Sequence, residues 1–328
     1  MSYHGLLVEC EVQFNTIKVT AEQSKTVEEK TRNQAASKLW FQQRAGRITA
    51  SKLKAEVQTD INKPSQSLIK AIGYPESQQF YTEATLWGQK HEATASQAYI
   101  AECTKNHTDL SVLPCGLIIN QSHPYLAATP DGIINCECCG SGVLEIKCPF
   151  SCTGKTLLEA TADPTFYLEE KNGELQLKTD HAYYYQVQAQ MNYSGAKYGD
   201  FVVWSQNELV IQRIYLDETF ISSILPKATE FFTRGILPEL LLKWWSKPAL
   251  LSSIVPTSSV PSSSETTSDS SGSSTNELWC YCRKEESGTM IVCDNEFCKI
   301  VWFHTSCLKL TRIPKGKWKY PKCRKKKH

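Results

Sequence analysis

The chain has 328 residues, 41% hydrophobic and 21% charged, with a formal net charge of +2. That length suggests two or three domains. The sequence shows no apolar run of membrane-spanning length, and the opening MSYHGLLVECEV is too short and mixed to read as a secretory leader, so no membrane partner is expected. The charge is uneven. Residues 278–328 hold 13 Lys/Arg and 4 Asp/Glu (+9), and the 277 residues before them hold 23 and 30 (−7). A basic C-terminal module therefore follows a mildly acidic large domain, which argues against broad electrostatic DNA binding by the latter. The 14 cysteines are expected to be reduced, and clusters among them are read for metal before disulfides.

In chain order, residues 1–20 are weakly patterned, with at most a short strand. Residues 21–42 read as one polar helix turning apolar at Leu39-Trp40-Phe41. Gln43–Ser51 follows, where Thr49 or Ser51 can cap the next helix and Arg44 and Arg47 can meet an anion. Residues 83–102 predict a helix with Leu86, Ala93, Ala98 and Tyr99 inward, carrying His91 and Glu92 mid-way. Short strands are expected over 113–120 and 125–129.

The stretch 129–148, TPDGIINCECCGSGVLEIKC, is the most informative. It reads as a hairpin whose second strand alternates, with Glu145 and Lys147 on one face and Leu144 and Ile146 on the other. Asp131 can aim a second carboxylate at the same spot. Two carboxylates beside a lysine suit a hard cation such as Mg²⁺, with the amine placed to orient a water. The bland alternative is a solvated strand beside an ordinary Pro-Asp-Gly turn. The turn cysteines, Cys136, Cys138 and Cys139, with Cys148 or Cys152 are either a local zinc site or simply reduced thiols.

Residues 179–194 predict a helix ending at Gly195, with Gln186 and Gln190 on one face. Strands are expected over 201–205 and 209–216, then a closing helix over 220–245 bent at Pro226 and Pro238. From 246 to 277 the composition turns to Ser, Thr and Pro, which reads as a disordered linker. Beyond it, Cys280, Cys282, Cys293, Cys298, His304, Cys307 and Cys323 fall in under fifty residues, a spacing that argues for zinc.

Five blocks, Arg44-Ala-Gly-Arg-Ile-Thr-Ala-Ser51, Trp87-Gly-Gln-Lys-His-Glu92, Thr129-Pro-Asp-Gly132, Leu144-Glu-Ile-Lys-Cys-Pro-Phe150 and Gln186-Val-Gln188, together resemble the phage lambda-type exonucleases and the overlapping YqaJ-like viral recombinases of the PD-(D/E)XK nuclease superfamily. The resemblance implies an α/β fold, a restriction-endonuclease-like mixed sheet flanked by helices. It implies Mg²⁺ (or Mn²⁺) ligation by Glu92, Asp131, Glu145 and the Ile146 carbonyl. Lys147 would activate water with Gln186 assisting; Arg44, Ser51 and Thr129 would grip a 5′ phosphate, with Gln190 as a further phosphate contact. His91 stands where RecB-type relatives can use a histidine and is expected to be accessory.

The C-terminal series resembles a plant homeodomain (PHD) finger of the inhibitor of growth type. Cys280, Cys282, His304 and Cys307 would close one zinc site, and Cys293, Cys298 and Cys323 would contribute to a second. Tyr320 stands where that family has a cysteine, so His328 or water would have to complete the second site. Trp279, Met290 and Trp302 would form an aromatic cage for a methylated lysine, with Asp294 meeting a basic residue of a histone tail. Arg324–Lys327 would suit phosphate or a nuclear-import receptor.

The resulting expectation is an N-terminal extension over 1–34, an exonuclease domain over 35–245, a linker over 246–277 and a finger with basic tail over 278–328. The function expected is Mg²⁺-dependent, 5′-to-3′ hydrolysis of linear duplex DNA in the nucleus, tethered to chromatin, and a homo-oligomer is compatible with it. The alternatives are a non-catalytic chromatin-binding protein on a nuclease fold and an endonuclease with the same ligands.

Overall fold

A computed structural model describes residues 1–78, 82–246, 290–293, 302–304, 307, 308, 310 and 318–323. Its contacts divide the chain into two units, Met1–Ile254 and Val255–His328. The expected linker lies almost wholly outside the described residues, as do Trp279, Cys280, Cys282, Asp294, Cys298, Arg324–Lys327 and His328.

The first unit opens with α1 (Tyr3–Thr16), where a short strand at most was expected. The Ser2 hydroxyl accepts from the Gly5 N–H at 3.2 Å, and Leu6 and Cys10, one turn apart, are buried. They enter the same core as Phe231, Phe232 and Ile236, so residues 1–34 are not an extension but part of the domain. The expected helix over 21–42 is broken into α2 (Ala21–Lys30) and α3 (Lys38–Arg44). The break falls at Thr31, fully buried, whose hydroxyl donates back to the Val27 carbonyl (2.6 Å) and accepts from the Leu117 N–H (2.8 Å). A β-branched residue bonded to a neighbouring strand segment competes with helix continuation.

After β1 (Ile48–Thr49), α4 (Leu53–Gln58) and α5 (Gln66–Gly73) comes the long α6 (Glu83–Cys103). Its buried stripe is Ala95, Tyr99 and Cys103, whereas Leu86 and Ala93 are exposed and Ala98 half-buried. Tyr99 lies inward as expected, while Ala95 and Cys103 take the other inward places, so that the sheet receives the small Ala95 and the Tyr99 ring. Glu92, at i−3 and i−7 from these two, continues the same face beyond the packed region.

The remaining strands are β2 (Ser111–Leu113), β3 (Ile118–Ile119), β4 (Leu126–Ala128), β5 (Gly132–Cys136) and β6 (Gly140–Lys147), and after α7 (Leu157–Ala160), β7 (Leu168–Lys171) and β8 (Glu174–Leu177). Then come α8 (Ala182–Ser194), β9 (Tyr198–Trp204), β10 (Leu209–Tyr215), α9 (Glu218–Phe231) and α10 (Leu237–Leu242). The central sheet has the order β10-β9-β6-β5-β2. It is mixed: β6 pairs antiparallel with β5 and parallel with β9, whose connection carries α8 across the sheet. A smaller sheet, β1-β4-β3, stands apart from it. Helices cover both faces, giving the α/β class expected. The closing helix tolerates Pro226 inside α9 and passes through a π turn at Phe232–Ile236 before α10, where Pro238 sits in the first turn. Among the described residues no helix is long and apolar enough to cross a membrane.

In the second unit, β11 (Met290–Val292) and β12 (Trp302–His304) form an antiparallel pair. Ile291, Cys293, Phe303 and Trp318 make its core.

Candidate active site

Alternation along β6 divides the sheet. Leu144 and Ile146 pack under α6 with Ala95 and Tyr99. Glu145 points the other way, and that face is not the open one the sequence suggested: α8 covers it, leaving Glu145 1% exposed. A buried carboxylate must be hydrogen-bonded, and its partners explain the amides on α8. Gln186 donates to Glu145 Oε1 and Gln190 to Oε2, both at 2.6 Å, and the Lys147 ammonium also meets Oε1. Gln190 is fully buried. The phosphate contact expected of it is therefore corrected: the amide holds Glu145 from behind and cannot reach a ligand.

Asp131 sits just ahead of β5. Its N–H donates to the Leu144 carbonyl (2.9 Å), and its Oδ2 accepts from the Ile146 N–H (2.7 Å), which fixes the carboxylate beside Glu145 and Lys147. Glu92 reaches the same place from α6. A cavity of about 420 Å³ is lined by Gln89, Glu92, Asp131, Ile146, Lys147 and Tyr183, among others. A second, of about 320 Å³, shares Gln89, Glu92, Asp131 and Ile146, so these residues form the wall between two clefts. A larger cavity, about 580 Å³, lies elsewhere, beside Phe41 and Tyr74, and holds none of these groups.

The electrostatics mark the site as strained by negative charge. Burial and then the charge of Glu145 push Asp131 well above the usual carboxylate range, with Glu92 adding to the rise and Lys147 opposing it. Partial desolvation and Glu145 likewise raise Glu92. For Lys147, burial disfavours the ammonium, but Glu145 and Asp131 outweigh it and hold the amine protonated. Its ammonium also lies 4.6 Å from the Tyr183 ring centroid. Three carboxylates facing one cation of charge +1 leave an excess of negative charge with oxygen donors only, the donor set of a hard divalent ion. The fit is in donor chemistry. Glu145 is buried and Glu92 exposed, and the three carboxylates do not form a set with all ligand atoms within 4.8 Å of one another.

A second constellation lies on the other side of Thr129. Arg44 stacks over the Trp40 ring (4.0 Å) and its Nη2 donates to Thr49 Oγ1 (3.4 Å). The Thr49 and Ser51 hydroxyls are 3.4 Å apart, and the Trp40 indole N–H donates to Thr129 Oγ1 (3.1 Å). Neither Thr49 nor Ser51 caps a helix by its side chain, the role first open to them. Arg44, Ser51 and Thr129 thus belong to one cluster, joined by Trp40 and Thr49. Burial pushes the Arg44 guanidinium down to about 10. Arg47 is committed elsewhere, to the Pro124 and Gln43 carbonyls. His91 lies tilted against Trp87 (4.1 Å) and stacked on Trp204 (5.2 Å), where it packs.

Residues 39–197 match the family described as the YqaJ-like viral recombinase domain. The match spans 159 of the chain's 328 residues. Among solved structures, an alkaline exonuclease from Laribacter hongkongensis is 25% identical, covering 62% of this chain and 94% of its own, with a TM-score of 0.44. A further segment is 54% identical over 46 residues to inhibitor of growth protein 1 of Mus musculus, 14% of this chain and 16% of that protein. It is 49% identical over 45 residues to the PHD finger protein ING1 of Arabidopsis thaliana, 14% of this chain and 19% of that protein. The chain spans less than a fifth of the length of these curated relatives. A YqaJ-like domain is therefore joined to a PHD-type finger in one chain.

Of the finger's expected ligands, Cys293 is buried and its sulfur accepts from the Tyr320 N–H at 3.1 Å. Cys307 and Cys323 are half-buried. Met290, Trp302 and His304 are placed on the strand pair, while their side chains lie outside the described residues. The Tyr320 ring stacks on Phe303 at 4.3 Å, so the tyrosine in the cysteine's place fills core volume.

Proposed function

We propose that the YqaJ-like domain is a metal-dependent deoxyribonuclease that degrades linear duplex DNA from its 5′ ends. The observation that carries this reading is the gathering of Glu92, Asp131 and Lys147 on one cavity, with buried Glu145 against Lys147 and two of the carboxylates pushed up by burial and then by the charge of Glu145. Glu92, Asp131 and Glu145, with the Ile146 backbone, would hold Mg²⁺ or Mn²⁺. When bound, such an ion polarises the phosphodiester and offsets charge developing in the transition state. Lys147, kept charged, donates from its ammonium to the attacking water or the phosphate oxygen and fixes its orientation. Gln186 and Gln190 hold Glu145 in place. Arg44, Thr49, Ser51 and Thr129 offer a guanidinium and hydroxyls to a terminal phosphate, which sets polarity from the 5′ end.

The PHD-type finger is proposed to dock the nuclease on a histone tail in the nucleus, through a cage of Trp279, Met290 and Trp302 with Asp294 beside it. Zinc would be held by Cys280, Cys282, His304 and Cys307, and at a second site by Cys293, Cys298 and Cys323.

The test is digestion in Mg²⁺, with and without chelator, of matched linear duplexes ending in 5′ phosphate or 5′ hydroxyl and of closed circles. The reading expects chelator-sensitive loss of the phosphorylated linear duplex first and intact circles. Cut circles would make the enzyme an endonuclease, and equal rates on the two ends would remove the Arg44 cluster from the account.

A further inference from the structure

The β5–β6 turn lies at the end of the hairpin away from the carboxylates. Six residues separate Cys139 from Glu145 along β6, about 20 Å at the rise of a strand. Cys136, Cys138 and Cys139 gather there, and a fourth group joins them from a separate loop: His107, four residues beyond the end of α6. The four ligand atoms all lie within 4.8 Å of one another. This is the only such group of three or more His, Cys, Asp or Glu side chains among the described residues.

The spacings decide between chemistries. Cys138 Sγ is 3.6 Å from both Cys136 Sγ and Cys139 Sγ. His107 Nδ1 is 3.1, 3.5 and 3.8 Å from the sulfurs of Cys138, Cys139 and Cys136. A disulfide requires about 2.05 Å between sulfurs, so none is formed here. A tetrahedron built on Zn–S of about 2.3 Å and Zn–N of about 2.0–2.1 Å has S···S edges of about 3.8 Å and S···N edges of about 3.6 Å. The observed edges scatter about those lengths.

The surroundings are built to hold the group. The Glu137 N–H donates to the Thr108 carbonyl at 3.0 Å, tying the two loops together. Arg213 Nη1 donates to Cys139 Sγ at 3.2 Å, as an outer-shell donor to a thiolate would. That arginine is itself fixed, paired bidentately with Asp200 at 2.8 and 2.9 Å, and Asp200 accepts from Tyr99 on α6 at 2.7 Å. Cys148 and Cys152, the partners the sequence suggested for the turn cysteines, go elsewhere. Cys148 lines the carboxylate cavity and Cys152 is buried in another core cluster.

We propose that His107, Cys136, Cys138 and Cys139 bind a structural zinc ion. Four protein ligands close the tetrahedron and leave no position for substrate, so the role is mechanical. The ion would pin together the distal ends of the elements that carry the site, α6 with Glu92, the β5 hairpin arm with Asp131, and β6 with Glu145 and Lys147.

The full chain also carries a finger expected to hold zinc, so the test is a difference. Zinc per chain is measured by elemental analysis in the unmodified protein and in the C138S/C139S variant, with the finger intact in both. The expected result is about one equivalent fewer in the variant, and an unchanged zinc content overturns the proposal. Should the variant fail to fold, the unmodified chain decides by thiol alkylation mapped by mass spectrometry. Two of the three cysteines are exposed, yet with zinc all three are expected to react at least tenfold more slowly than after chelation. Equal rates before and after the chelator, or an oxidised pair in reduced protein, would refute the site.

Discussion

Glu145 shows why a residue's chemistry depends on what lies behind it. The Glu-Ile-Lys pattern suggests a carboxylate and an amine on a half-open strand, and the pair is there. Its burial under α8, and the two amides that make the burial tolerable, are not written in the strand. Gln190 illustrates the limit: glutamines four apart announce a shared helix face, but not that the face meets a buried acid. Glu56 gives a residue-scale prediction. It is 2% exposed on α4, neither oxygen has a hydrogen-bond partner among the described residues, and burial pushes its carboxyl up to about 8, with Lys227 opposing. Its pKa is higher folded than unfolded, so the folded chain binds the proton more tightly. Stability is greatest below the unfolded pKa near 4.5 and is lost as pH rises toward 8. Replacing Glu56 with Gln should remove that loss, worth roughly 5 kcal/mol at most. Thermal melts at pH 5 and pH 8 check it: the variant should gain at pH 8 relative to wild type and little at pH 5, and parallel pH profiles would contradict it.

At the level of elements, what could be read was whatever repeats locally. The hairpin arms, α6 and α8 announce themselves by alternation, by helical spacing and by Gly195 at a helix end. The break at Thr31 could not be read, because it depends on Leu117, 86 residues away in sequence. His107 was missed for the same reason: one histidine in a loop 29 residues before the first turn cysteine carries no spacing signal. The α1 helix was missed because its first buried residues, Leu6 and Cys10, make too sparse a stripe. The packing of α2 on the β3 region offers a test. A Cβ at Gly116 would fall 1.9 Å from the Glu28 carbonyl oxygen, which is backbone and cannot step aside. Gly116→Ala should therefore destabilise the first unit by about 1–3 kcal/mol, lowering Tm by about 2–4 °C per kcal/mol. An unchanged melting temperature would mean that α2 does not pack there as described.

For the whole molecule, a mildly acidic domain and a basic finger stand in one chain, and the proposed function assigns cleavage to the first and affinity to the second. The YqaJ-like domain gathers acids from α6, the start of β5 and the end of β6, three stretches spread over 54 residues from Glu92 to Glu145. Burial and then the charge of Glu145 raise two of these carboxylates out of their usual range. In the proposed cleavage the lysine among them is indispensable to the rate. The most direct measurement is therefore Mg²⁺-dependent digestion of a linear 5′-phosphorylated duplex by wild type, Asp131→Asn and Lys147→Met, with folding checked by circular dichroism. The account predicts that the folded variants lose about 10²–10⁴-fold in rate. Folded Lys147→Met protein that digests DNA at the wild-type rate would contradict it.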